Sequence, residues 1–169
     1  MAGKLVQVDK EIISSAASSV TLTGIDSDDV YLFTWSGVTC SNDTQQNLIR
    51  ITKSGEADTT ANYDAATKLM YSSASYVNNA TPNLTALATS YQGTGTGESQ
   101  NGLMYLYDFN NASEFSWGTH EDICFSYLPR LEGNIGGFCH TVSSASDGIQ
   151  YFMAVGNLTG GTFTLYKVV

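Results

Sequence analysis

Charged residues are scarce in this sequence of 169 residues: Asp, Glu, Lys and Arg together make up 14% of it. That scarcity is unlike the Lys/Glu/Ala-rich make-up of a helical protein. Cysteine occurs only at Cys40, Cys124 and Cys139, without regular spacing. An odd, irregular set is neither a disulfide framework nor a zinc site, so small buried apolar residues are the expected role. No segment reaches the length of a membrane span. The opening Met1-Ala2-Gly3-Lys4-Leu5-Val6-Gln7 holds no long apolar stretch, so no signal peptide is expected and the protein reads as soluble and made in a cytoplasm. The basic residues are the rarest charges. Seven Lys plus Arg against 16 Asp plus Glu leave a formal net charge of −9. Such a surface repels phosphate and weighs against nucleic acid and anionic membranes as partners.

What is present is strand-forming. Ten Tyr, 7 Phe and many Ser and Thr accompany 16 Gly and only 2 Pro. Val20, Leu22 and Gly24 recur with period 2, as do Leu48 and Arg50 against Ile49 and Ile51. Val30 to Val38 is nearly all apolar and reads as a central strand buried on both sides. Strand character returns at Gly102–Phe109, at Ile135–Val142, at Gly148–Val155 and at Gly161–Val168. Gly156-Asn157 and Gly160-Gly161 read as the bracket of a tight hairpin joining the last two runs. Asn62–Met70 is the one candidate for a short helical turn, and Asn78–Gly102 looks least ordered, with Leu84, Leu87 and Tyr91 as a candidate edge strand. About nine or ten strands without βαβ alternation predict one domain over residues 1–169, an all-β, antiparallel β-sandwich of jelly-roll type.

The sequence offers little to a catalyst. In His120-Glu121-Asp122 a strand would turn His120 and Asp122 to one face and Glu121 to the other, so the three do not converge on a metal. Asp26, Asp28 and Asp29 lack the Gly and Glu of a calcium-binding EF-hand loop: Tyr31 stands at the sixth position and Gly37 at the twelfth. A turn before a strand is the simpler reading. Glu98, Glu114, Glu121 and Glu132 are not held in pairs by any sequence feature, and no Gly-x-Ser-x-Gly elbow occurs. Gly93–Gly97 lacks the Lys-Ser/Thr pair of a phosphate loop and reads as a flexible loop. The Asn-X-Ser/Thr sites at Asn42, Asn79, Asn83, Asn111 and Asn157 reflect Asn- and Thr-rich loops. No catalytic residue, cofactor or metal is assigned. Most aromatic residues fall in strands, where packing is the default. Tyr63, Tyr71, Tyr76 and Tyr91 lie in the less regular middle and are the candidates for a sugar- or protein-binding surface.

Three stretches in order carry a resemblance. They are Ser18–Ile25 leading to Asp29-Val30-Tyr31, Gly102–Leu106 with Asn110–Glu114, and Asp147-Gly148-Ile149 to Gly156-Asn157 with Gly161–Tyr166. Together they resemble the small β-sandwich virion proteins of tailed bacteriophages, of the capsid decoration, head-fibre or tail-fibre type. The resemblance implies a jelly-roll-like fold, a homo-oligomer of trimeric type, and docking on major capsid or tail proteins. It also implies a virion location after assembly in the host cytoplasm, with a host surface glycan as the alternative partner. No repetitive shaft sequence precedes the domain, so a stand-alone decoration protein or short head or tail appendage is expected.

Overall fold

The period-2 patterns become thirteen strands in the computed structural model, which describes residues 3–73 and 76–169. Met1 and Ala2, part of the segment read above for a leader, lie outside that range. In chain order the strands are β1 (Leu5–Ile13), β2 (Ser19–Thr23), β3 (Tyr31–Cys40), β4 (Gln45–Lys53), β5 (Glu56–Ala57), β6 (Tyr63–Tyr71) and β7 (Val77–Leu84). There follow β8 (Leu87–Gln92), β9 (Gln100–Tyr107), β10 (Ser116–Phe125), β11 (Leu131–His140), β12 (Gly148–Met153) and β13 (Leu158–Val168). Eight form one sheet in the order β1-β13-β3-β9-β10-β11-β6-β7. The smaller sheet runs β2-β12-β4-β5, with β8 paired to another stretch of β4. The chain is all-β and its two antiparallel sheets form a sandwich.

Aromatic side chains fill one half of the interior. Phe33 and Trp35 of β3, Tyr151 of β12 and Phe163 of β13 stack in sequence. Ring centroids lie 5.2 Å apart for Phe33–Trp35, 5.6 Å for Trp35–Tyr151 and 5.0 Å for Tyr151–Phe163. Each such buried ring contributes on the order of 2–3 kcal/mol from the apolar area withdrawn from water. Glycine makes the room. A Cβ on Gly102 would lie 2.3 Å from the Trp35 indole, and one on Gly118 would lie 2.1 Å from the Phe138 ring.

Three readings of the sequence are corrected. Asn62–Met70 is not a helical turn but most of β6, because β11 on one side and β7 on the other supply ladder partners along it. Its Ala and Lys residues favour helix locally, and pairing on both edges overrides that preference. The link from β12 to β13 is not a hairpin: β12 pairs with β2 and β4 in the smaller sheet, while β13 lies between β1 and β3 in the larger. The strand count exceeds the expected nine or ten because Asn78–Gly102 supplies most of β7, all of β8 and the start of β9, and β10 runs straight through His120-Glu121-Asp122. Pro82 is tolerated inside β7 because that strand is outermost.

Candidate docking surface

Along β10 every second residue is buried: Ser116, Gly118, His120, Asp122 and Cys124 point toward the other sheet. Trp117, Thr119, Glu121, Ile123 and Phe125 point outward. This strand therefore reverses the usual order, with polar groups inside and large apolar groups outside. On β11, Glu132, Asn134 and His140 are buried, while Leu131 and Ile135 are exposed. Trp117 and Ile123 are each 46% exposed, Phe125 45% and Leu131 47%, so about half of each large side chain meets solvent.

Register extends this outward face across the whole larger sheet. One row on that side runs Lys10, Thr164, Thr34, Leu103, Glu121, Ile135, Lys68, Asn78 from edge to edge; Thr164 in it, and Leu32 on the same side of β3, are buried. Charge on the face is confined to Lys10, Lys68, Asp64 and Glu121, which balance. Two hollows indent it toward opposite ends of β10. One, of about 590 Å³, is lined by Trp117, Gly137, Cys139, Asp64, Ala66 and Pro82. The other, of about 510 Å³, is lined by Ile123, Glu121, Ile135, Leu103, Met70 and Thr34. Tyr105, opposite Thr119, stands beside the first.

The buried polar groups beneath this face have a structural task. Asp122 Oδ2 accepts the Ser90 backbone N–H at 3.1 Å, and Glu132 Oε1 accepts that of Tyr91 at 3.0 Å. Gln100 Nε2 donates to the Ser90 carbonyl at 3.1 Å. Side chains of the larger sheet thus take the place of the neighbour strand that β8 lacks. Behind them Asn47 Nδ2 donates to Gln92 Oε1 and Gln100 Oε1 at 2.8 and 2.9 Å, and the Tyr151 hydroxyl donates to Gln100 Oε1. Burial pushes the Asp122 carboxyl up to about 7 and the His120 imidazole down to about 4. His120 Nε2 lies 3.9 Å from Asp122 Oδ1, too far for a hydrogen bond, and the opposed shifts leave both groups mostly neutral between about pH 4 and 7 rather than forming an ion pair.

The residues singled out from sequence separate. Tyr63 belongs to no surface: it is buried in the core, its hydroxyl donating to the Asp58 carbonyl at 2.8 Å and accepting the Ile51 N–H at 3.2 Å. Tyr71 and Tyr91 do gather at one end of the sandwich, around Arg130 and Glu132. The Arg130 guanidinium lies 3.7 Å over the Tyr71 ring, and Tyr91 meets Tyr127 edge-on at 6.3 Å. Tyr76 is exposed, with Lys68 Nζ 4.5 Å over its ring. Tyr127 and Trp117 escaped the sequence reading, the first in a loop and the second because a strand tryptophan defaults to core. The alternation of β10 was the signal that would have turned Trp117 outward.

Elsewhere the candidates are held by ordinary partners. Lys167 Nζ sits 2.7 Å from Asp29 Oδ2 and 3.7 Å from Asp26 Oδ1, so a lysine neutralises that acidic turn. His140 Nε2 lies 3.2 Å from Asp58 Oδ2 and is pushed down chiefly by burial. Burial opposes the charge of Asp58, yet Lys53 and Thr60 hold its carboxyl well below the usual range. In the Gly93–Gly97 loop the Gly95 N–H donates to Glu98 Oε2 at 2.7 Å. All three cysteines are free and buried. Among the described residues no group of three or more His, Cys, Asp or Glu is placed to hold a metal ion, and no helix is long and apolar enough to cross a membrane.

No family model matches the chain, and no curated protein matches it. Among solved structures, one similar chain is the CBM2 module of the evolved Dit of Lactobacillus casei BL23 phage J-1. It aligns over 97% of this chain and 76% of its own, with a TM-score of 0.28 and 9% identity. A likeness of that size carries no argument about function.

Proposed function

We propose that the chain is a structural component of a tailed-phage virion, a capsid decoration or cement protein or a short head or tail appendage, and that it acts by packing rather than by catalysis. The observation that carries this reading is the outward face of the larger sheet. A chain with a net charge of −9 keeps that face charge-balanced and lines it with half-exposed Trp, Ile, Phe and Leu. Contiguous exposed apolar surface of this kind marks an interaction site. The resemblance of Ser18–Ile25, Gly102–Leu106 and Gly161–Tyr166 to small virion proteins suggests the owner. The polar interior supports the non-catalytic half, since Asp122 and Glu132 are engaged in bonding β8. Mass spectrometry and cryo-electron microscopy of purified particles test it. The chain is expected in many copies per particle, with the Trp117–Ile123 face covered; particles that never carry it would end the proposal.

A second reading, a receptor- or carbohydrate-binding module, is favoured by the Tyr71, Tyr91 and Tyr127 cluster around Arg130. Aromatic rings beside a fixed charge suit the apolar and hydroxyl faces of a sugar. A glycan array is its test: binding lost on Tyr91→Ala supports it, and silence across host glycans counts against it.

A further inference from the structure

We infer that the occupant of the outward face of the larger sheet is a second copy of this chain, presented through the same face. This rests on the docking reading above and names its partner. Three observations point to self-association. The first is area. Eight strands, at about 4.8 Å spacing and about eight residues of 3.4 Å each, cover roughly 1,000 Å². A stable interface needs about 800 Å² from each partner.

The second is charge. Two copies of a chain at −9 repel unless their acids stay apart. The larger sheet meets that condition, because its outward charges are Lys10 and Lys68 against Asp64 and Glu121. Lys10 lies on an edge strand, Glu121 near the middle and Lys68 beyond it in the same cross-strand row. The acids that make the net charge sit elsewhere, many of them on turns, as at Asp26-Ser27-Asp28-Asp29, Asp43, Glu98 and Glu114.

The third is shape. The face carries both projections and hollows: half-exposed Trp117 and Ile123 border cavities of about 590 and 510 Å³ respectively. A surface that holds projections and recesses together is self-complementary, as a symmetric interface requires.

The experiment is sedimentation of the full chain at high micromolar concentration, beside two variants. Wild type is expected to have the mass of two or more chains. An Ile123→Asp/Ile135→Asp chain is expected to dissociate about 100-fold more readily. Both positions are exposed, so at dilutions where both proteins are monomeric its melting transition should match that of wild type. Glu121→Lys leaves three positive side chains against one negative on the face, and should weaken association at low salt with recovery at high salt. Val155→Asp, on an exposed turn, is the control and should associate as wild type does. A monomeric wild type, or a folded double variant that associates unchanged, overturns the inference. The failures separate: a monomer found on particles sinks self-association and spares the virion reading, whereas an oligomer never found on particles does the reverse.

Discussion

The interior is apolar where β3, β12 and β13 meet and polar where β8 lies over β10 and β11. In the first region every strand has neighbours on both sides, so side chains are free to be Phe33, Trp35, Tyr151 and Phe163. In the second, β8 pairs only with β4, and its remaining backbone groups would be buried without partners. Asp122, Glu132 and Gln100 supply them. A core can therefore be hydrophobic only where its backbone is already satisfied. The acids beneath β8 are the consequence of a missing strand.

The sharpest way to break this contrast is to empty the apolar half. Phe163→Ala should lower unfolding free energy by about 3–5 kcal/mol, measured by urea titration. Glu132→Ala should cost about 1–3 kcal/mol, because the Tyr91 N–H and Arg130 both lose their acceptor. Glu132→Gln, which keeps an acceptor, should lose less. If the Ala and Gln variants were equally stable, β8 would not depend on that bond.

The pH profile gives a finer test. The folded Asp122 carboxyl titrates near 7 against an ordinary 3.8, so between those values the folded state holds a proton that the unfolded chain has lost. Stability then falls with rising pH, by about 1.4 kcal/mol per pH unit. His120 has the opposite sign: folded near 4 against an ordinary 6.5, it makes stability rise with pH across that window. The two slopes offset each other in wild type. Asp122→Asn should leave the His120 slope exposed, so stability climbs more steeply from acid toward neutral than in wild type. His140 acts alike in both proteins and drops out of the comparison. Parallel profiles for the two would show that Asp122 is not raised. The smallest effect is expected on the outward face, where Ile123→Asp should change the stability of the monomer by no more than about 0.5 kcal/mol, read as a thermal midpoint.

Much of the fold was readable because alternation was clean. Val20, Leu22, Ile49 and Ile51 were placed on one face by period alone, and all four are buried. Of Val30–Val38, read as buried on both sides, Tyr31–Phe33 are so, whereas Ser36 and Gly37 are exposed. Sheet membership was not readable. Gly156-Asn157 has the composition of a hairpin, and only long-range pairing sends β12 and β13 to different sheets. The docking face was hidden for a related reason. Its residues come from β1, β13, β3, β9, β10, β11, β6 and β7, and no local window joins Lys10 to Glu121 and Lys68. Tyr63 was misjudged because a tyrosine among polar neighbours looks exposed, whereas its hydroxyl serves Asp58 and Ile51 within the core.

The placement of β13 has a kinetic side. This last strand lies between the first, β1, and the third, β3, and brings Phe163 and Leu165 into the core. Until Leu158–Val168 has left the ribosome, β1 has no partner in the larger sheet and β3 has only β9. Closure of the larger sheet must wait for Leu158–Val168 to emerge, and the contacts that then form join β13 to strands near residues 5–13 and 31–40. Such topologies fold slowly. Until that segment emerges, a nascent chain of this kind presents open strand edges at β1 and β3 to its neighbours on a polysome.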